Sequence, residues 1–295
     1  MIVIPGPASE KLGEKIAGIL NFISKPVEHR IFPDGENYIR FTSKNLRDDV
    51  LIVQTTAPEP DRKIMQLLMM AKTAKEMGAE SLIACVPYLS YSRQDKRFRE
   101  GEVFSLDVVL GLMDSSGIDD LIVVDIHNKD NTLKLSEKYQ MRVHCLDAIP
   151  ALASYLKDNG YDGAFSISPD IGRKEVVQRT SKILGGGFGY FEKIRNRETG
   201  EIVMEIRDLE ISGRNAVVFD DIISSGGTMS KAIRGLKDQG ASKVAAACTH
   251  ALLMEGAEVR LREAGADEIV ASDTVQTDYS KVTVAGIIAR HLAAV

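Results

Sequence analysis

Apolar positions along the chain follow two rhythms that alternate from one end to the other. Short runs rich in β-branched residues read as buried strands. Longer stretches with apolar residues three and four apart read as amphipathic helices. In the first half this predicts strands at Ile2–Ile4, Val27–Phe32, Tyr38–Phe41, Val50–Gln54, Ser81–Val86, Leu121–Asp125 and Arg142–Leu146. Helices are predicted there over Ser9–Leu20, Asp61–Met77 and Ser105–Ser115. The second half gives strands at Ala164–Ser168, Gly187–Glu192, Ile202–Ile206, Ala216–Asp220, Lys243–Thr249 and Glu268–Ala271. Its helices fall over Ala148–Asn159, Ile171–Leu184, Thr228–Gln239 and Gly256–Ala264. Strand and helix in turn imply an α/β fold with mainly parallel sheets.

The two halves read as loose copies of one unit. Met77–Gly78–Ala79–Glu80–Ser81–Leu82–Ile83 corresponds to Gln239–Gly240–Ala241–Ser242–Lys243–Val244–Ala245, each a helix end, a Gly cap and a strand. A break near Leu146–Pro150 divides the chain into domains 1–146 and 147–295, with no low-complexity linker between them.

Composition narrows the picture. With 295 residues, 44% apolar and 27% charged, the chain supports two ordinary cores. A net charge of −5 argues against a nucleic-acid surface, so any anion site must be built locally. No apolar run is long enough to span a bilayer, and the first residues lack a signal-peptide pattern. Cys85, Cys145 and Cys248 each lie in an apolar strand-like run without metal spacing, which reads as buried thiols and a cytoplasmic setting.

The chemistry concentrates in Val217–Lys231, VVFDDIISSGGTMSK. A buried strand ends in Asp220 and Asp221, the small residues Ser224, Ser225, Gly226, Gly227 and Thr228 follow, and then a helix starts. Converging backbone N–H groups and the helix dipole make such a loop an anion site. No Gly-Lys-Ser/Thr follows, so it is not a Walker loop. Two carboxylates beside a phosphate cradle suit a sugar phosphate, whose hydroxyls they accept; a solvated acidic turn is the plain alternative.

Other stretches carry weaker signals. Phe32–Asn37 reads as a hairpin turn on its Asp-Gly. Tyr88–Arg97 puts arginines and Gln94 at the carboxyl end of a strand, where α/β folds bind ligands. His127 follows the strand Leu121–Asp125 and is either a ligand or structural. Asp170 either holds Mg²⁺ or caps the helix after it. Lys193 and Arg195 alternate in phase along a strand that enters a charged loop.

In order, these stretches resemble the ribose-phosphate pyrophosphokinases over nearly the whole chain. The resemblance implies two tandem phosphoribosyltransferase-like domains and a reaction in which ATP and ribose 5-phosphate give AMP and 5-phosphoribosyl 1-diphosphate (PRPP). Phe32, Asp34 and Glu36 resemble the loop that holds the ATP base, and Arg93, Gln94 and Asp95 a second ATP-contacting segment. His127 and Asp170 match residues serving Mg²⁺, Lys193 and Arg195 the catalytic loop, and Asp220, Asp221 and Ser224–Thr228 the ribose 5-phosphate site, with Arg195 also facing that substrate. His127 joins Lys193 and Arg195 as a catalytic residue, and the implied assembly is a homo-oligomer of at least two chains. The sequence departs from the family in Asn128–Asn131, where a Gln/Gly/Phe-rich stretch is frequent, and in Ile171–Gly172–Arg173, where a Gly-Gly pair is common. A phosphoribosyltransferase would share only the Asp220–Thr228 signature, and a non-catalytic regulatory member would lack the basic pair or the metal-side residues.

Overall fold

Strand propensity and burial put most of the β-branched runs listed above into one of two mainly parallel sheets. The structure is a computed structural model and describes residues 1–195, 202–206 and 210–294, the side chains of Ile171, 192–195 and 202–206 excepted. Its strands are β1 (Ile2–Pro5), β2 (Ile23–Ser24), β3 (Val27–Ile31), β4 (Asn37–Phe41), β5 (Val50–Val53), β6 (Leu82–Val86), β7 (Asp120–Val124) and β8 (Arg142–Leu146). They continue as β9 (Phe165–Ser168), β10 (Phe188–Arg195), β11 (Ile202–Ile206), β12 (Ala216–Ile223), β13 (Val244–Ala251), β14 (Glu268–Ser272) and β15 (Ser280–Val282). The helices are α1 (Glu10–Leu20), α2 (Pro60–Glu76), α3 (Ser105–Ser115), α4 (Lys129–Ser136), α5 (Ile149–Leu156), α6 (Lys174–Leu184), α7 (Gly227–Asp238), α8 (Ala257–Glu263) and α9 (Ala285–Leu292).

The chain forms two units, Met1–Asp147 with Thr283–Val295, and Ala148–Val282. In the first, six parallel strands lie in the order β2-β1-β5-β6-β7-β8, with β3 and β4 a separate antiparallel hairpin. Alternate residues of these strands, such as Ile4, Ile52, Ala84 and Val123, pack under Leu67 and Met70 of α2 and Leu106 and Leu110 of α3. On the chain's return, α9 packs against α1. The final segment therefore belongs to the first unit, where the pattern reading left all of 147–295 in the second.

The second unit holds seven strands in the order β11-β10-β9-β12-β13-β14-β15, parallel except for the antiparallel β10–β11 ribbon. Period-two alternation works cleanly here. Val218, Ala246 and Ile269 face Ile233 and Leu236 of α7, and Val217, Phe219, Ala245 and Val270 face Leu152 and Leu156 of α5. Each fully buried Val, Leu, Ile or Phe among them contributes roughly 1.5–3 kcal/mol.

The structure adds helices α4 and α9, which the periodicity did not predict. It also extends the central strand through both acids to Ile223. Because the strands of each sheet run parallel, their carboxyl ends gather on one edge, the edge at which open α/β sheets bind ligands.

Candidate active site

In the second unit, β9 and β12 are hydrogen-bonded neighbours, Val218 opposite Ile167. Whatever follows these two strands must meet. After β12 the chain turns through Ser224–Gly226 into α7, and Gly226 takes a left-handed φ of 73° as the residue before the helix. A Cβ there would lie 3.3 Å from the Ala257 carbonyl, so conformation and space both call for glycine. No side chain caps α7. The orphan N–H groups of its first turn and the helix dipole thus suit a phosphate. The loop's other side is pinned: Met254 N–H donates to Ser224 O at 3.0 Å, and the Arg260 guanidinium donates to the Ser225 carbonyl. Arg260 had no sequence signal, lying far along the chain in α8.

Asp220 and Asp221 meet a cation that sequence reasoning passed over. Arg173, at the end of the short 3₁₀ turn Ile171–Arg173 after β9, reaches across to both. Its Nε lies 3.1 Å from Asp220 Oδ1 and its Nη2 pairs with Asp221 Oδ2. Burial and the adjacent Asp221 carboxylate still push Asp220 well above the ordinary carboxylate range, with Arg173 pulling the other way. Asp170 holds the turn after β9. Its Oδ1 accepts the Gly172 N–H at 2.9 Å, and its backbone is tied to the Ser168 hydroxyl at 2.6 Å, fixing the turn that carries Arg173.

In the first unit, β6 and β7 are likewise neighbours, and their exits meet. Asp95 is buried, and its Oδ2 accepts from the side-chain amides of Asn128 and Asn131 at 2.7 and 2.8 Å. Asn128 also caps α4 by accepting the Asn131 N–H at 3.1 Å. Asp95 thus organises the segment bearing His127, while Arg93 and His127 are exposed and Gln94 is half-buried. The residue before that segment, Asp125, holds a left-handed φ of 39°, a strained conformation at a strand's carboxyl end.

The β3–β4 hairpin carries Phe32, Asp34 and Glu36 at its tip, closed by Phe32 N–H to Glu36 O at 2.8 Å. Phe32 meets Tyr38 edge-on at 6.0 Å, and the Arg30 guanidinium lies 4.9 and 4.6 Å from the two ring centres. Asn37 Oδ1 accepts from Gln66 of α2 at 2.9 Å, anchoring the hairpin to the sheet's helix layer. Lys193 and Arg195 stand two apart in β10, opposite Met204 and Ile202, and their side chains lie outside the described residues.

The donor set fits magnesium carried by a substrate rather than a protein cage. Among the described residues there is no cluster of three His, Cys, Asp or Glu able to hold a metal. Mg²⁺ ordinarily keeps several waters and takes one or two carboxylates plus substrate phosphates. The second oxygen of Asp170 can meet that need.

The α/β frame thus sets an uncapped helix N-terminus, suited to an anion, beside a buried pair of acids. Residues 1–117 match the family model described as the N-terminal domain of ribose phosphate pyrophosphokinase, and residues 203–292 the phosphoribosyl synthetase-associated domain. The ribose-phosphate pyrophosphokinase of Sulfurisphaera tokodaii is 36% identical over 288 residues, covering 97% of each chain. That of Methanothermobacter thermautotrophicus is 37% identical over 98% of each. The crystal structure of phosphoribosylpyrophosphate synthetase from Mycobacterium smegmatis superposes with a TM-score of 0.86 at 26% identity, covering 99% of this chain and 97% of that one. The chain belongs to the ribose-phosphate pyrophosphokinase family and has its two-sheet, phosphoribosyltransferase-like fold.

Proposed function

We propose that the protein transfers the β,γ-diphosphoryl group of ATP to the 1-hydroxyl of ribose 5-phosphate, giving PRPP and AMP for nucleotide synthesis. The observation that carries this reading is the acid pair Asp220–Asp221 beside the Gly226 loop at the start of α7, in a chain of this family. The anomeric hydroxyl attacks the β-phosphorus, its new P–O bond forming as the bond to the α-phosphate oxygen breaks and AMP leaves. Ser224, Ser225, Gly226, Gly227 and Thr228 receive the 5-phosphate, and the two acids accept the ribose hydroxyls. Such a transfer needs alignment and charge neutralisation more than covalent help.

The first unit serves the nucleotide. Phe32, Asp34 and Glu36 hold the base, and Arg93 meets the phosphates with Gln94, while Asp95 sets the His127 segment. Lys193 and Arg195 supply positive charge over the reacting phosphates. Magnesium, when bound with ATP, neutralises triphosphate charge, with His127 and Asp170 on its protein side. The hairpin tip's exposed acids suit a role across a homo-oligomer, and the working compartment is the cytoplasm. No described helix is long and apolar enough to cross a membrane.

A phosphorus NMR time course with ATP, ribose 5-phosphate and Mg²⁺ tests the reading. AMP and a diphosphorylated sugar appear together if it holds. ADP as the nucleotide product, or no turnover, overturns it.

A further inference from the structure

Two carboxylates on successive residues of one strand repel each other, and burial makes each costlier to ionise. Asp221 is only 6% exposed at its side chain and Asp220 20%. Left alone, such a pair keeps a proton between them, and a protonated carboxyl offers a donor where a hydroxyl needs an acceptor. The structure places one guanidinium on both. Arg173 is itself 19% exposed, and its planar fork spans the pair, Nε to Asp220 and Nη2 to Asp221.

The backbone completes the arrangement. Asp221 N–H donates to Asp220 Oδ1 at 2.9 Å, and Ile222 N–H to Asp221 Oδ1 at 2.8 Å. Each carboxylate thus takes at least one backbone donor and one arginine nitrogen. The arginine is in turn held at its root. Asp170 caps the turn Ile171–Arg173 through the Gly172 N–H, and a Cβ on Gly172 would lie 3.1 Å from the same carboxylate oxygen.

We propose that Arg173 is a positioning and specificity-determining residue for the sugar: it orients Asp220 and Asp221 as a pair of acceptors for the vicinal 2- and 3-hydroxyls of ribose 5-phosphate. The proposal rests on the acid pair being the ribose site. It assigns Arg173 no contact with the reacting phosphates. Removing it disorders the acceptors while the phosphate loop and the nucleotide side stay intact.

The test compares the full-length wild type with Arg173→Lys and Arg173→Ala. Isothermal titration with ribose 5-phosphate and with 2-deoxyribose 5-phosphate, without ATP or metal, reads sugar binding independently of turnover. Steady-state kinetics then separates the two KM values. Arg173→Ala is expected to weaken ribose 5-phosphate binding about tenfold or more, the size of a charge-assisted hydrogen bond. Its loss for the deoxy sugar, which keeps only the 3-hydroxyl, should be clearly smaller, and KM for ATP should stay within about twofold, so that discrimination between the sugars narrows. Arg173→Lys should recover part of the loss, because one ammonium cannot fork to both acids. Unchanged or tighter ribose 5-phosphate binding in Arg173→Ala overturns the proposal, the tighter result making Arg173 a competitor for the acids. Equal losses for both sugars and for ATP overturn it too, as the mark of a merely structural ion pair. Wild type that binds no ribose 5-phosphate overturns the functional reading itself, a result distinct from either.

Discussion

Asp220 is a carboxylate held away from its ordinary behaviour. Burial and the Asp221 charge raise its pKa in the folded state. A group raised in this way stabilises the fold fully below its unfolded pKa, about 3.9 for Asp, and loses that contribution as pH climbs through the folded value. Asp220→Asn cannot titrate. The melting temperature of the variant, minus that of the wild type, should therefore rise with pH from about 4 upward, whatever constant offset the substitution brings. A difference that stays flat or falls in thermal melts across that range would contradict the assignment. If Asp220 accepts a sugar hydroxyl as proposed, the variant should also lose activity, because the amide presents only one acceptor oxygen. Lys193 gives the complementary case. If its ammonium serves only the reacting phosphates, Lys193→Ala should lower kcat by roughly 100-fold or more while both KM values change little, as for lost oxyanion-type stabilisation. An unaltered kcat in stopped time courses would remove it from the mechanism.

Elements explain why some of the site was legible and some was not. The strand–loop–helix around Gly226 was readable because its signal is local: β-branched strand, small residues, helix. Gly226→Ala should test that reading, since a left-handed non-Gly residue costs on the order of 1–3 kcal/mol and the added Cβ crowds the Ala257 carbonyl. We expect KM for ribose 5-phosphate to rise by about tenfold with kcat less affected. A drop in melting temperature with unchanged KM would mean that the loop does not touch the phosphate. Helix α4 was illegible for the opposite reason. Its sequence, KDNTLKLS, has little apolar periodicity. What starts it is the Asn128 cap, held in place by Asp95 from another loop. The family resemblance implied Asp95 as an ATP contact, and its carboxylate is buried on two amides. Asp95→Ala strips two half-buried amides of their acceptor, at about 1–3 kcal/mol in all. It should lower the melting temperature by several degrees, whereas Arg93→Ala, on an exposed residue, should leave stability nearly unchanged. Equal melting temperatures for the two variants would leave Asp95 only the ATP contact that the resemblance implied. Arg173 was missed similarly, because nothing in a Gly-Arg pair announces that it will meet acids some fifty positions later.

At the scale of the whole molecule, the last helix is what chain order hides most completely. Residues Ala285–Leu292 follow the second sheet in sequence but pack on α1 of the first unit. Their apolar side is short, and no periodicity in so brief a segment says which core it will join. Ile288 is fully buried and has no other role in view. Truncating it to Ala removes buried methyl groups and leaves a cavity, costing about 2–5 kcal/mol. If α9 belongs energetically to the first unit, the loss must appear there. Native-state hydrogen exchange should show protection falling in α1 and β1, while β12, β13 and α7 keep theirs, because independent units report their own opening free energies. If ribose 5-phosphate binds in the second unit as proposed, its binding should be preserved at temperatures below the first transition, and ATP-dependent turnover should fail first on warming. Uniform loss of protection across both sheets would instead make the two units one cooperative body, with α9 as part of what couples them.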